Sequence, residues 1–276
     1  TKTLEDIIEE RVTEIISTNK KIYVMWSGGI DSTAVVCAFL KRKVPFEILL
    51  SEGSIEEYRL MYNILIKLKV KLHFINSIYI DPPKIVKGDG ILLNGYPADQ
   101  LFGRWKFAKD FKYDMLKDKW ENHDIKKMYP KLADVPAELF LRHMTESIKG
   151  SPFEIRTVFD FMWWGIFNFG WQDRKFYHLG YLDTKDVNII PFFGNNDFQK
   201  WTIVNHDLKL QKETVNETCK WQLKDYIYDF VKDEEYLKNK VKMKPLTELN
   251  KDFSKVITSY DTLGRINSKS LSTFLC

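Results

Sequence analysis

Six residues, Ser27-Gly28-Gly29-Ile30-Asp31-Ser32, constrain this chain more than any other stretch of it. They follow an apolar run, Ile22 to Trp26, and precede a helix-like one, Ala34 to Leu40. The order reads as strand, glycine loop, helix, which is the context a phosphate-binding loop requires. Gly28 and Gly29 let the backbone bend and turn several N–H groups toward one point. The following helix adds unpaired first-turn amides and the positive end of its dipole. Ser27 and Ser32 offer hydroxyls to an oxyanion, and Asp31 can hold the Mg²⁺ that travels with a polyphosphate. No Gly-Lys-Ser/Thr ending follows, so the loop is not of the Walker A kind.

The flanking pattern repeats. Thr3 caps a first helix with Leu4, Ile7, Ile8, Val12, Ile15 and Ile16 on one stripe, and Asp6 completes a weak capping box. Phe46 to Leu50 predicts a second strand, Leu72 to Ile75 a third and Ile91 to Asn94 a fourth. One helix carrying Ile55, Tyr58, Leu60, Met61, Leu65 and Leu68 is expected between the second and third. Strands alternating with helices predict an α/β fold, a doubly wound parallel sheet of about five strands with ligands at their carboxyl ends. From about residue 104 strand signals fade and aromatic, helix-like segments dominate, punctuated by Pro130, Pro136 and Pro152. A late strand is read at Val187 to Ile190. The expected organisation is a nucleotide-binding core over residues 1–103 and a mainly helical part over 104–276, separate or continuous with it.

A chain of 276 residues with 44% hydrophobic content has ample material for a core. Its net charge of +4, from 42 basic and 38 acidic residues, is too even to indicate a nucleic-acid partner. Cys37, Cys219 and Cys276 form no Cys-x-x-Cys pair, which argues against a disulfide scaffold or structural zinc and fits a reducing cytosol. The opening residues alternate charged and apolar side chains, unlike a signal peptide. The most apolar stretch, Val158 to Trp171, contains Asp160 and Asn168 and is too short to span a bilayer. A cytoplasmic protein with no membrane partner is therefore expected. Trp163, Trp164 and Trp171 within that stretch read as helix core or an oligomer contact in preference to a stacking platform. Arg174 and His178 beyond it read as ordinary surface residues.

Strand four runs into Asn94-Gly95-Tyr96-Pro97-Ala98-Asp99-Gln100-Leu101-Phe102-Gly103. On a parallel sheet this loop shares an edge with the glycine loop, so Asp99 can approach Asp31 and complete a two-carboxylate Mg²⁺ site. Taken alone, capping of the next helix is the better account of Asp99.

The glycine loop resembles the SGGxDS pyrophosphate loop of the N-type ATP pyrophosphatase superfamily, whose members cleave ATP between the α- and β-phosphates and form a substrate adenylate. The Asp99 segment is similar to the G-x-G-A-D-E-L-F-G stretch of asparagine synthetases. Ile190-Pro191-Phe192-Phe193 with Asp197 is similar to their R-x-P-F-x-D turn, and Lys220-Trp221-Gln222-Leu223-Lys224-Asp225 to their K-x-x-L-R-E helix. Glu52-Gly53-Ser54 with Glu56 and Glu57 stands where the family passes from strand two to its helix. These landmarks cover residues 22 to about 226. The chain thus resembles the synthetase domain of the asparagine synthetase superfamily, which includes β-lactam and carbapenam synthetases.

The resemblance implies a ligase that uses ATP and Mg²⁺ to adenylate a small-molecule carboxylate and pass it to ammonia or an amine. Ser27, Gly28, Gly29 and Ser32 would hold the pyrophosphate, and Asp31 and Asp99 the metal. The backbone around Met25 and Leu50 would face the adenine, and Lys220 would lie against the α- and β-phosphates. Lys220 rests on the resemblance almost entirely, since a helical lysine is ordinarily a solvated charge.

Three departures accompany it. Gln100 stands where asparagine synthetases carry Glu, and an amide cannot act as a base. Tyr96 matches the tyrosine that β-lactam synthetases pair with a downstream Glu, so it is the candidate for taking the amine's proton. With an unperturbed pKa near 10 it needs a helper, and Glu121, Glu138, Glu146 and Glu154 remain open. The chain opens with Thr1 and an amphipathic helix, so no glutaminase domain is expected. Nitrogen would then come from free ammonia, a separate ammonia-supplying subunit or a substrate amine, and a homo-oligomer is left open. Lys224 replaces Arg and loses its bidentate fork. Two other readings compete: a related enzyme modifying RNA or a nucleobase, and a non-catalytic nucleotide-binding protein, which Gln100 supports.

Overall fold

The computed structural model describes residues 2–76, 81–103, 113–124, 137–168, 187–212 and 214–241, the side chains of 137–140 and 215 excepted. Pro130, Pro136, Trp171, Arg174, His178 and the side chain of Glu138 lie outside the described residues. The chain divides into two compact units, residues 1–102 with 179–250, and 103–178 with 251–276.

In the first unit, α1 (Leu4–Ser17) starts at Thr3, whose side chain accepts from the Asp6 amide while Asp6 returns a carboxylate to the Thr3 amide. Its Ile7, Ile8, Val12 and Ile15 are buried on one face. Then come β1 (Ile22–Met25), α2 (Ile30–Lys41), β2 (Glu47–Leu50), α3 (Glu52–Glu57), α4 (Arg59–Lys67), β3 (Lys71–Phe74), α5 (Pro82–Ile85), β4 (Ile91–Asn94) and α6 (Ala98–Phe102). The single helix expected between β2 and β3 is two. The backbone breaks at Tyr58 (φ −152°, ψ 79°), because Tyr58 turns inward and donates to the Asp233 carboxylate at 3.1 Å.

After the second unit the chain returns as β5 (Asn188–Pro191), α7 (Asn196–Val204), α8 (Val215–Thr218), α9 (Trp221–Val231) and α10 (Glu234–Asn239). The late strand read from Val187 to Ile190 is thus shifted by one residue. Residues 188–241 belong to the sheet-bearing unit.

All five strands are parallel, in the order β3-β2-β1-β4-β5, so the fold is the expected α/β doubly wound sheet. β1 and β2 are almost wholly buried, as strands covered on both faces must be. One layer of the core joins Tyr23, Leu49, Ile75, Val86, Leu92 and Val187, with Met25 and Ile189 against it. Full burial of such side chains contributes about 1.5–3 kcal/mol each. Successive strands are added outward from β1 to β3, then on the other side through β4 to β5. That reversal opens a crevice beyond the carboxyl ends of β1 and β4, where doubly wound sheets bind their ligands.

In the second unit, Trp120 stacks on Phe161 with ring centres 4.6 Å apart, and its amide donates to the Arg156 carbonyl. Thr157 and Asp160 cap the helix at 158–168. Val158, Phe161, Met162, Trp163, Trp164 and Ile166 are buried on it, so this part of the aromatic stretch is core. Among the described residues no helix is long and apolar enough to cross a membrane.

Candidate functional site

The glycine loop leaves β1 under tight control. The Trp26 amide extends the β1–β2 pairing by donating to the Leu49 carbonyl at 2.9 Å, and its indole donates to Thr33 Oγ1 at 3.0 Å. Ser27 N donates to Ser32 Oγ, the two serine hydroxyls stand 3.0 Å apart, and Gly29 N donates to Ser27 Oγ at 3.3 Å. The loop is therefore cross-braced by the two hydroxyls named from the sequence. Gly29 sits at the cap position of α2 without a side chain to satisfy the helix amides, which leaves the first turn available to an anion.

Gly28 has φ +74°, and a Cβ there would stand 2.4 Å from the Ser54 carbonyl oxygen and 2.7 Å from Glu57 Cβ. The floor under the loop is thus α3. That helix is pinned from far along the chain: Lys240 Nζ donates to Glu57 Oε1 at 2.6 Å and to the Glu57 carbonyl at 2.8 Å. Both side chains are buried, and Tyr58 packs on Tyr236 at 4.2 Å beside them. The sequence carried no sign of this pairing, because its partners are 183 residues apart and the segment that holds Glu57 says nothing of Lys240.

A second loop leaves β4 alongside. Asn94 Oδ1 accepts from the Tyr96 amide, while the Asn94 and Tyr96 carbonyls accept from Phe192 and Phe193. Arg11, buried in α1, donates to the Pro191 and Phe192 carbonyls at 3.0 Å and so steadies that supporting turn. Gly95 touches the glycine-loop helix directly: a Cβ on it would meet Asp31 Cβ at 2.7 Å and Ser32 N at 2.9 Å. The Tyr96–Pro97 peptide is cis, and Asp99 follows in the first turn of α6. Asp99 is inside that helix, not its capping residue.

The third segment is Lys220. It precedes α9 in a left-handed backbone conformation (φ 50°, ψ 40°), and its carbonyl accepts the amides of Leu223 and Lys224. The lysine anticipated on the helix therefore stands at its cap. Its ammonium donates to Asp31 Oδ1 at 2.5 Å, Asp31 Oδ2 at 2.6 Å and Asp99 Oδ1 at 2.5 Å. Lys220 is 7% exposed in its side chain, Asp31 26% and Asp99 27%, so the carboxylates keep an open side while the ammonium is enclosed. Burial alone would discharge the amine, but the two carboxylates outweigh it and hold Lys220 protonated above its ordinary range. Three segments separated by 189 and 121 residues thus meet at the switch-point crevice.

Two carboxylates converging on one point form a donor pair that could hold a Mg²⁺ ion. Among the described residues no group of three or more His, Cys, Asp or Glu could hold a metal ion, so a metal on this pair would draw on further oxygens.

Other expected residues sit further out. Leu50 is fully buried and its carbonyl accepts from Ile75 at 2.8 Å, while Met25 packs partly buried against the core. Gln100 is 2% exposed, and its Oε1 has no hydrogen-bond partner among the described residues. Asp197 lies at the surface, 3.7 Å from Lys2. Lys224 is fully buried and donates to the Asn216 carbonyl at 2.5 Å, with burial pulling its pKa down to about 8. Burial pushes the Cys219 thiol up to about 11, which makes it a poor nucleophile. Tyr96 is half-buried. Glu121, Glu146 and Glu154 belong to the second unit, where Glu146 pairs with Lys149 and Glu154 with Arg156. No protein-family model matches this chain, and no curated protein matches it significantly.

Proposed function

We propose that this chain is an ATP-dependent ligase, forming AMP and pyrophosphate, that makes an amide from a small-molecule carboxylate and ammonia or an amine. The observation that carries the reading is the meeting of Asp31, Asp99 and Lys220 beside a serine-braced glycine loop. Loop amides, a helix N-terminus and two serine hydroxyls suit a pyrophosphate, and the carboxylate pair suits the metal that accompanies it.

In the proposed reaction a carboxylate oxygen bonds to the α-phosphorus and the bond from that phosphorus to the bridging oxygen breaks, releasing pyrophosphate. Ser27, Ser32 and the loop amides hold the departing group in line, and the Lys220 ammonium neutralises charge as it leaves. Mg²⁺, held by Asp31 and Asp99, would supply Lewis-acid stabilisation of the phosphate oxygens. The amine nitrogen then bonds to the acyl carbon, the acyl–oxygen bond breaks so that AMP departs with its electron pair, and the amine's proton passes to Tyr96 as its phenolate. Even charge and free, buried Cys37 and Cys219 suit small-molecule work in a reducing cytoplasm.

The decisive experiment follows the fate of ATP in the presence of Mg²⁺ and a panel of carboxylates. AMP and pyrophosphate, with carboxylate-dependent exchange abolished by Asp31→Asn, are expected. Release of ADP sinks the adenylation reading. Tight ATP binding with no turnover on any carboxylate favours the non-catalytic alternative, for which the neutral, buried Gln100 is the specific support.

A further inference from the structure

Resting on the reading of Asp31 and Asp99 as the metal pair, we propose that Lys220 is a built-in counter-ion. It keeps the pair closed to a divalent cation until a polyphosphate offers the ammonium other oxygens. The metal site would then be nucleotide-dependent: Mg²⁺ and the triphosphate load together, and the protein alone holds no metal there.

The ammonium is not a passing surface charge. It takes both oxygens of Asp31 and Oδ1 of Asp99 within 2.6 Å. Mg²⁺ demands ligand oxygens at about 2.0–2.1 Å in octahedral array, and an ammonium this close competes for the same oxygens and repels the metal. Nor can the lysine simply swing into solvent. Its backbone is fixed in the left-handed region with its carbonyl capping α9, and its side chain is enclosed. A buried ammonium that lost both carboxylates without a new anion would stand unpaired, which is the costly arrangement.

A polyphosphate changes the balance. The glycine loop and the first turn of α2, which carries Asp31, direct such an anion to the same spot. Phosphate oxygens can take the ammonium's three donors and also add to the metal's shell, for which the described residues offer no third carboxylate, histidine or cysteine. With formal charges, two aspartates and one lysine leave the cluster at −1. A metal arriving alone keeps the ammonium as a near neighbour of like charge. A metal arriving with a tetra-anionic nucleotide meets partners for both cations.

The test uses Mn²⁺ as the probe, with electron paramagnetic resonance reporting bound metal on the full chain. The wild type is expected to bind no Mn²⁺ alone and about one with α,β-methylene-ATP. Lys220→Met should bind Mn²⁺ without nucleotide at least tenfold more tightly than wild type, and adding Asp99→Asn should remove that binding. Wild type binding Mn²⁺ alone as tightly as Lys220→Met, through Asp99, overturns the proposal. Should Lys220→Met not fold, nitrogen-15 lysine NMR of the wild type decides. A protected ammonium signal unmoved by Mg²⁺ and shifted by Mg²⁺ with nucleotide supports the counter-ion role, and a shift with Mg²⁺ alone overturns it. If Lys220→Met binds Mn²⁺ while wild type takes none even with nucleotide, the counter-ion stands and the ATP reading falls.

Discussion

Gly95 and Asp31 approach so closely that a Cβ on Gly95 would lie 2.7 Å from the Cβ of Asp31. The contact joins the loop after β4 to the helix after β1, and so sets the spacing of the two aspartates. Gly95→Ala must push Asp99 away from Asp31. The expected result is a stability loss of about 1–3 kcal/mol from overpacking. Carboxylate-dependent pyrophosphate exchange should fall about a hundredfold, as misplacement by roughly 1 Å can cause. Exchange kinetics beside urea denaturation separate the two effects, and unchanged exchange would refute the spacing role.

Gly28 and Gly29 are neighbours with opposite demands. At Gly28 a side chain meets a left-handed backbone and the immovable Ser54 carbonyl at 2.4 Å, whereas at Gly29 it meets only the Ser27 hydroxyl at 3.3 Å. Gly28→Ala should cost about 2–5 kcal/mol, combining roughly 1–2 of backbone strain with the clash. Gly29→Ala should cost less than about 1 kcal/mol, since an ordinary backbone and one rotatable hydroxyl absorb it. Urea midpoints for the two variants in parallel check the ordering.

The Glu57–Lys240 pair is buried, so breaking one side strands a charge. Glu57→Gln or Lys240→Met should each destabilise by about 3–5 kcal/mol, and Glu57→Leu with Lys240→Met should recover most of it. A double-mutant cycle by chemical denaturation measures this. Because the pair holds the floor beneath Gly28, the double variant is expected to raise the KM for ATP more than it lowers kcat.

Lys224 gives a pH signature. Its folded pKa of about 8 lies below the ordinary 10.5 because burial disfavours its charge. Between those values the unfolded chain holds a proton the folded one has lost, so stability rises with pH by up to about 1.4 kcal/mol per unit. Below about 8 both forms are charged and the slope vanishes. Lys220 does not cancel this: its folded pKa is raised, so its contribution is complete below 10.5 and fades only above. Buried Cys37 and Cys219 keep their protons above the ordinary 9 and pull stability down beyond that pH, so urea unfolding should show the rise between about pH 8 and 9 in wild type and not in Lys224→Met.

The glycine loop and the order of strands and helices were legible because each is written locally, in periodicity and turn chemistry, whereas Asp99 read locally as a cap and as a metal ligand only through resemblance. Lys220 was legible only through resemblance, since nothing local distinguishes a lysine at a left-handed cap from one on a wet helix face. The split of α3 from α4 escaped because Tyr58 fits the helical stripe and is turned inward by Asp233, 175 residues away. The contact of Gly95 with Asp31, the role of Arg11 and the Glu57–Lys240 pairing escaped for the same reason. Their importance lies in what approaches them through space, and a single sequence records no such neighbour.

The insertion of residues 103–178 between α6 and β5 has a consequence for synthesis. β4 ends at Asn94 and its outer partner begins at Asn188, about 90 residues later on the ribosome, or on the order of 5–20 s of translation. Throughout that interval the nascent sheet presents Ile91, Leu92 and Leu93 along an open edge, the kind of edge that recruits other chains. Chaperone demand should therefore peak before the last third of the chain emerges, and slowing elongation across residues 103–187 should lower soluble yield.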